Sequence, residues 1–345
     1  MAPVFDGHND LLFRLWLKKS ATAVSDFIDG EAKGQLDLPR MHDGGFAGGF
    51  FAMFVPSEIE GALHESLNPP PYAAVGQARA QGITAEMVAL FHQLAEEVPN
   101  HGFRPCLSVA DIRAAMHDGA IAAILHLEGA EAIGPDLAGL DELYDAGLRS
   151  LGPVWSRPNV FGAGVPFAWP SSPDTGPGLT EAGRALVSAC NAKRIMIDLS
   201  HINEKGFWDV ARLSSAPLVA THSNAHALSP SSRNLTDAQL RAIGESKGMV
   251  GLNYAVDFLQ DDGVRHSAIA PEVLIRHLEH MIKLAGEDCV GLGSDFDGAT
   301  VPDFLGDVAG LPKLVDAMEK AGFGEKLIAK ITHENWLRVL GETWG

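Results

Sequence analysis

Apolar residues in this chain gather into eight short runs, most of which end in a polar or ionisable residue. The runs cover residues 4–10, 45–55, 120–128, 148–155, 194–201, 217–222, 248–254 and 289–295. Runs that are apolar on both faces suit strands of a parallel sheet covered on both sides. Helical patterns lie between them. Over 271–285, Leu274, Ile275, Leu278, Met281, Ile282 and Ala285 recur at helical spacing with charge opposite. Thr236 and Gln239 form a capping box that opens a helix over 236–246, and Thr180 caps another within 179–193. Alternation of strand and helix eight times over predicts an α/β fold, a (β/α)8 TIM-like barrel; an open doubly wound sheet is the alternative on periodicity alone.

Two stretches interrupt the rhythm. Residues 56–106 hold the run Pro69–Pro71 and a helical segment over 86–97, and residues 160–177 are rich in Gly and Pro. Both follow strands, so both are insertions at the C-terminal mouth of the barrel, where substrate loops belong. Residues 310–345 read as a helical tail packed outside. A length of 345 residues accommodates two domains or one large barrel; the rhythm favours a single domain over 1–345.

Composition narrows the partners. A net charge of −18 argues against nucleic acid or an anionic membrane surface and is compatible with a small cationic or zwitterionic substrate. Cys106, Cys190 and Cys289 are scattered, which disfavours a disulfide framework and a thiolate zinc site. The start of the chain has no basic segment leading into an apolar run, and no apolar stretch is long enough to span a bilayer. A reducing cytoplasm is the expected compartment.

The chemistry sits where the runs end. His8 and Asp10 are two apart at the end of the first, and residues two apart on a strand point to one face. Glu128, His201, His222 and Asp295 end the third, fifth, sixth and eighth runs. In a parallel barrel these ends meet at one rim. Imidazole and carboxylate donors are zinc-like ligands, and their number exceeds what one tetrahedral ion takes, so a binuclear site with a shared carboxylate is expected. His126, sharing a face with Glu128, is expected one layer down as a satisfied core histidine, and Asp6 as a group hydrogen-bonding behind the ligands. His42, His64, His92, His101, His117, His266, His277 and His280 are expected at the surface. Asp297 reads as a turn residue and His333 as structural. The glycines at 44, 45, 48 and 49 lie inside an apolar run and do not make a nucleotide loop.

At this point the chain resembles the membrane (renal) dipeptidase type of zinc peptidase, within the amidohydrolase superfamily. FDGHNDLL, LHLEGAEAIG, DLSH, ATHSNAHALSPSSRNLTD and GLGSDFDG occur in order along nearly the whole sequence. The resemblance implies two zinc ions, one held by His8, Asp10 and Glu128 and the other by Glu128, His201 and His222, with Glu128 bridging. It implies Arg233 as the partner of the substrate carboxylate, Tyr254 as a pocket tyrosine and Asp295 as the carboxylate beside a water shared by the ions. The implied activity is hydrolysis of small dipeptides, with tolerance of a D-residue at the C-terminal side. One departure stands out: the family histidine at the end of the fourth strand is replaced by Trp155, a donor that is never charged. Trp155 is expected to touch substrate, and Arg157 to supply charge from nearby. An amidase or lactonase, and a non-catalytic metal-binding scaffold, are the competing readings. A homodimer is compatible with all of them.

Overall fold

The computed structural model describes residues 2–57 and 72–345. His64 and Pro69–Pro71 lie outside the described residues. Among the described residues nine strands form one parallel sheet: β1 Val4–Asn9, β2 Phe46–Phe54, β3 Phe103–Pro105, β4 Ile121–Glu128, β5 Leu148–Gly152, β6 Met196–Ile197, β7 Val219–Ala220, β8 Met249–Leu252 and β9 Val290–Leu292. The order is β6-β5-β4-β2-β1-β9-β8-β7, and the bridge between Asp198 and Val219 joins the two ends. The result is the expected (β/α)8 barrel. The additional strand, β3, pairs only with the start of β4, so part of the 56–106 insertion belongs to the sheet.

β4 shows how alternation builds the interior. Ala122 and Ile124 join a floor cluster with Phe5, Phe50, Met196, Val219 and Met249. His126 follows one step higher and Glu128 reaches the mouth. The intervening Ile121, Ala123, Leu125 and Leu127 pack outward against the helices. Period-two geometry thus grades the inside of the barrel from apolar to polar.

Helix boundaries follow local signals. Thr236 and Gln239 complete a reciprocal capping box at the start of Asp237–Glu245. The Thr180 hydroxyl accepts from the Gly183 amide at the start of Glu181–Lys193. The helix in the long insertion runs over Gln77–Glu97, beginning well before the apolar periodicity does. No helix among the described residues is long and apolar enough to cross a membrane.

The tail is helical as expected, but it does not simply pack outside. Trp336, on the last helix Asn335–Trp344, is fully buried and plugs the N-terminal end of the barrel. Its indole N–H donates to the Leu292 carbonyl at 3.0 Å, and its ring meets Phe50 at 5.3 Å. Gly7 makes room for it: a side chain there would collide with Trp336 and with the Thr221 carbonyl.

Candidate metal centre

His8 lies on β1, and Asp10 follows directly after it. Glu128 is the last residue of β4. His201 and Asp295 stand beyond their strands, at φ 67° and 62°, and His222 follows β7. Left-handed backbone at two non-glycine residues is a strained choice that recurs at functional sites. Here it turns both side chains back toward the barrel axis.

The predicted donors converge. Glu128 Oε1 lies 2.9 Å from His201 Nε2, 3.5 Å from His222 Nε2 and 3.7 Å from His8 Nε2. His8 Nε2 is 3.3 Å from Asp10 Oδ2. The His8 and His222 rings stack at 3.9 Å. Two donor triples, His8/Asp10/Glu128 and Glu128/His201/His222, share Glu128, and within each all ligand atoms lie within 4.8 Å of one another. A third, His8/His222/Asp295, brings Asp295 to the same centre.

Hydrogen bonds behind the ligands set their orientation. The Ser156 hydroxyl meets His201 Nδ1 at 2.7 Å. Thr221 Oγ1 donates to Asp198 Oδ2 at 2.6 Å and lies 2.8 Å from His222 Nδ1. A hydroxyl has one proton. With that proton on Asp198, Thr221 accepts from His222 Nδ1–H, and Nε2 keeps its lone pair for the centre. Asp198 also receives the Ser200 and Thr221 amides on Oδ1, at 2.9 and 2.8 Å. Burial works against its charge, but the His126 ring and these hydrogen bonds hold its pKa below the ordinary carboxylate value. Ser156, Thr221 and Asp198 were not singled out from sequence, although Thr221 and Asp198 lie within three residues of His222 and His201.

Electrostatics point to a cation. Burial opposes charge on His8, yet Glu128, Asp10 and Asp295 together push its pKa up to about 10. Burial raises Glu128 well above the ordinary value, and burial raises Asp295 too. Burial and neighbouring positive groups keep His201 and His222 neutral, the form that ligates. Both ring nitrogens of His8 are buried without a hydrogen-bond partner among the described residues. Three imidazoles, one with both ring nitrogens unpartnered, and the carboxylates of Asp10, Glu128 and Asp295 fit a divalent zinc-type ion.

Other predicted residues take varied places. His126 is buried beneath His8, its Nδ1 2.8 Å from Ser150 Oγ and its Nε2 3.6 Å from Asp198. Asp6 accepts from the Ser294 amide and hydroxyl at 2.7 and 2.8 Å, behind the ligands as expected. Asn253 Nδ2 donates to Asp295 Oδ2 at 2.9 Å. Trp155 lines the mouth against Phe54, Phe167 and His201. Arg157 is not aimed at the centre: its guanidinium is taken up by Glu131, the Ser57 hydroxyl and the Val55 carbonyl. Arg233 is buried, with Nη1 on Ser223 Oγ at 2.8 Å and Nη2 on the His222 carbonyl at 2.9 Å, while Nε has no partner among the described residues. Tyr254 is fully buried edge-on to Phe296 and does not line the cavity. His277, expected at the surface, is buried; it accepts from the Ala225 amide and its Nε2 meets the Leu259 carbonyl at 2.9 Å. Asp297 is a turn residue at φ 66°, paired with Arg14.

Above the centre opens a cavity of about 240 Å³ lined by Asp10, Glu128, His201 and Asp295 below and by Trp155, Phe167 and Phe258 at the side. That is small for a ligand site, since such sites usually run from about 300 Å³ upward. A carboxylate-rich, cation-binding floor under a small aromatic-walled cavity suits metal-assisted hydrolysis of a small substrate.

Comparison with known proteins agrees. The family model for membrane dipeptidase (peptidase family M19) matches residues 1–344. A metallo peptidase from Rhodobacter sphaeroides, solved with a phosphinate mimic of the dipeptide L-Ala-D-Ala, is 52% identical with a TM-score of 0.95 over 99% of both chains. The solved dipeptidase AC, a family M19 metallo peptidase, is 52% identical with a TM-score of 0.94, over 100% of this chain and 99% of that one. An uncharacterized protein of the pqqA 5' region of Klebsiella pneumoniae is 51% identical over 241 residues, 70% of this chain and 89% of that protein. With its donor set assembled at the barrel mouth, this chain belongs to the membrane dipeptidase family, peptidase family M19, and is a metal-dependent dipeptidase.

Proposed function

We propose that the centre holds two zinc ions and cleaves small dipeptides, including those with a D-residue at the C-terminal side. The observation that carries this reading is the position of Glu128 Oε1 within 3.7 Å of three separate imidazole Nε2 atoms. His8, Asp10 and Glu128 would hold one ion, and Glu128, His201 and His222 the other. The likeness to the Rhodobacter sphaeroides protein, solved with its L-Ala-D-Ala mimic, supports the substrate class.

Bound zinc supplies the positive charge that polarises a carbonyl and acidifies water. The remaining work falls to side chains. Asp295 takes a proton from the attacking water and returns it to the departing amine. Asn253 occupies its Oδ2, which leaves Oδ1 for that proton. Arg233 supplies a buried positive charge beside the centre; burial lowers its pKa to about 10, opposed by Asp295, Asp198 and Glu128, so it stays charged at neutral pH. Its unpartnered Nε supports the role of carboxylate partner. Trp155 supplies an apolar wall against the substrate, and Tyr254 braces the Asp295–Phe296 turn from behind.

The test is zinc content together with a panel of L,L- and L,D-dipeptides, with and without chelator. Two zinc ions per chain and chelator-sensitive cleavage are expected. A single ion per active chain would remove the bridging role of Glu128. Cleavage of lactones or simple amides in preference to every dipeptide would move the substrate class.

A further inference from the structure

Apart from Asp10, Glu128 and Asp295 at the metal centre, one carboxylate lines the cavity among the described residues, Asp257. One lysine or arginine lines it, Arg265. They face each other, with Arg265 Nε 3.4 Å from Asp257 Oδ2.

The two partners are held very differently. Asp257 sits on the short turn Val256–Phe258, whose flanking side chains are buried. The Val256 amide donates to the Thr300 carbonyl and the Phe258 amide to the Ala255 carbonyl, at 3.0 and 3.1 Å. Arg265 follows Gly263, which rests against the Trp169 ring, and its further anchor among the described residues is one 3.2 Å hydrogen bond to the Thr300 hydroxyl. The side chains of Arg265 and Asp257 are 46% and 33% exposed. An ion pair that open and that long contributes little, of order 0–1 kcal/mol, and exchanges readily for another cation.

A dipeptide brings such a cation. Its α-amino group has a pKa of about 7.7–8.0 and is protonated near neutral pH. With the scissile carbonyl over the metal centre, the ammonium lies a few bonds away and needs an anion that is not a metal ligand. We propose that Asp257 receives the α-ammonium of the dipeptide, displacing Arg265, which is its partner in the free enzyme. This rests on the dipeptide reading above. Burial, which raises the Asp257 pKa against the pull of Arg265, shows a carboxylate that gains from a better-placed cation. The Phe167–Phe258 contact at 5.2 Å supplies the adjoining apolar wall.

The experiment measures binding, so it does not depend on turnover. The phosphinate mimic of L-Ala-D-Ala and its des-amino analogue are titrated by calorimetry into zinc-loaded wild type, Asp257→Asn and Arg265→Gln. Wild type is expected to prefer the amino form by about tenfold or more, equal to about 1.4 kcal/mol. Asp257→Asn should bind both forms alike, with unchanged zinc content. Arg265→Gln should keep the preference and bind the amino form at least as tightly. An undiminished preference in Asp257→Asn overturns the proposal, as does its loss in Arg265→Gln. Wild type that neither binds the mimic nor cleaves any dipeptide fails the substrate reading itself. Cleavage with no amino preference fails this inference alone.

Discussion

Replacing Asp198 with Asn changes one atom and should reverse a proton two hydrogen bonds away. Oδ1 of Asp198 accepts two backbone amides, so an asparagine must keep its carbonyl oxygen there. Its NH2 then faces Thr221 Oγ1, where Oδ2 now accepts at 2.6 Å. The hydroxyl then accepts from that NH2 and donates a hydrogen bond to His222 Nδ1, 2.8 Å away. That leaves a hydrogen on Nε2, the atom aimed at Glu128, and a protonated nitrogen cannot ligate zinc. Losing such support typically costs about 10- to 100-fold in metal affinity, or about 1.4–2.8 kcal/mol. Chelator competition gives the zinc affinity, and 15N shifts of the His222 ring in zinc-free protein give the tautomer. Thr221→Ser, which keeps the hydroxyl, should bind zinc like wild type, whereas Thr221→Val should not. Zinc affinity within about twofold of wild type in folded Asp198→Asn would refute the relay.

Asp295→Asn should retain its zinc while kcat drops by about 10²–10⁴, the span of general acid–base catalysis; undiminished turnover removes Asp295 from the mechanism. Arg233→Met should raise KM for dipeptides far more than for esters lacking a C-terminal carboxylate, with equal losses counting against a carboxylate partner. Trp336→Ala should destabilise the fold by about 3–5 kcal/mol, read by urea titration of the zinc-loaded enzyme; a loss below about 1 kcal/mol would mean the plug is dispensable. Burial lowers the His277 pKa to about 4 from the ordinary imidazole value of 6.5, an effect the Leu259 hydrogen bond only partly offsets. The unfolded chain therefore takes up a proton first as pH falls, and stability present above pH 6.5 is lost toward pH 4, by up to about 1.4 kcal/mol per pH unit. His277→Gln should flatten that slope, and an unchanged slope would place the acid sensitivity elsewhere.

The convergence of the candidate donors is legible in sequence because a parallel barrel sends every strand end to one rim, so His8, Glu128 and His222 need only strand assignments. His201 and Asp295 reach the rim from left-handed turns after β6 and β9. Nothing in an apolar run announces such a turn. His277 could have been found: it joins Leu274, Leu278 and Met281 at helical spacing on the buried face of Pro271–Ala285. β3 is three residues long and ends in proline, too brief for any periodicity. The Arg157–Glu131 pair unites residues with no spacing rule between them, so Arg157 looked free when its hydrogen bonds were already committed. Arg265 and Asp257 meet across a turn and a glycine-bearing segment, which only three-dimensional placement reveals.

The indole under the barrel sets an order of events during synthesis. β1 leaves the ribosome well before its neighbour β9 and the Trp336 stopper are made. Until then the nascent cylinder has an open seam beside β1 and an unsealed floor of phenylalanines. Growing chains therefore carry a sticky, half-built vessel until those segments are made, the interval in which holding chaperones matter most.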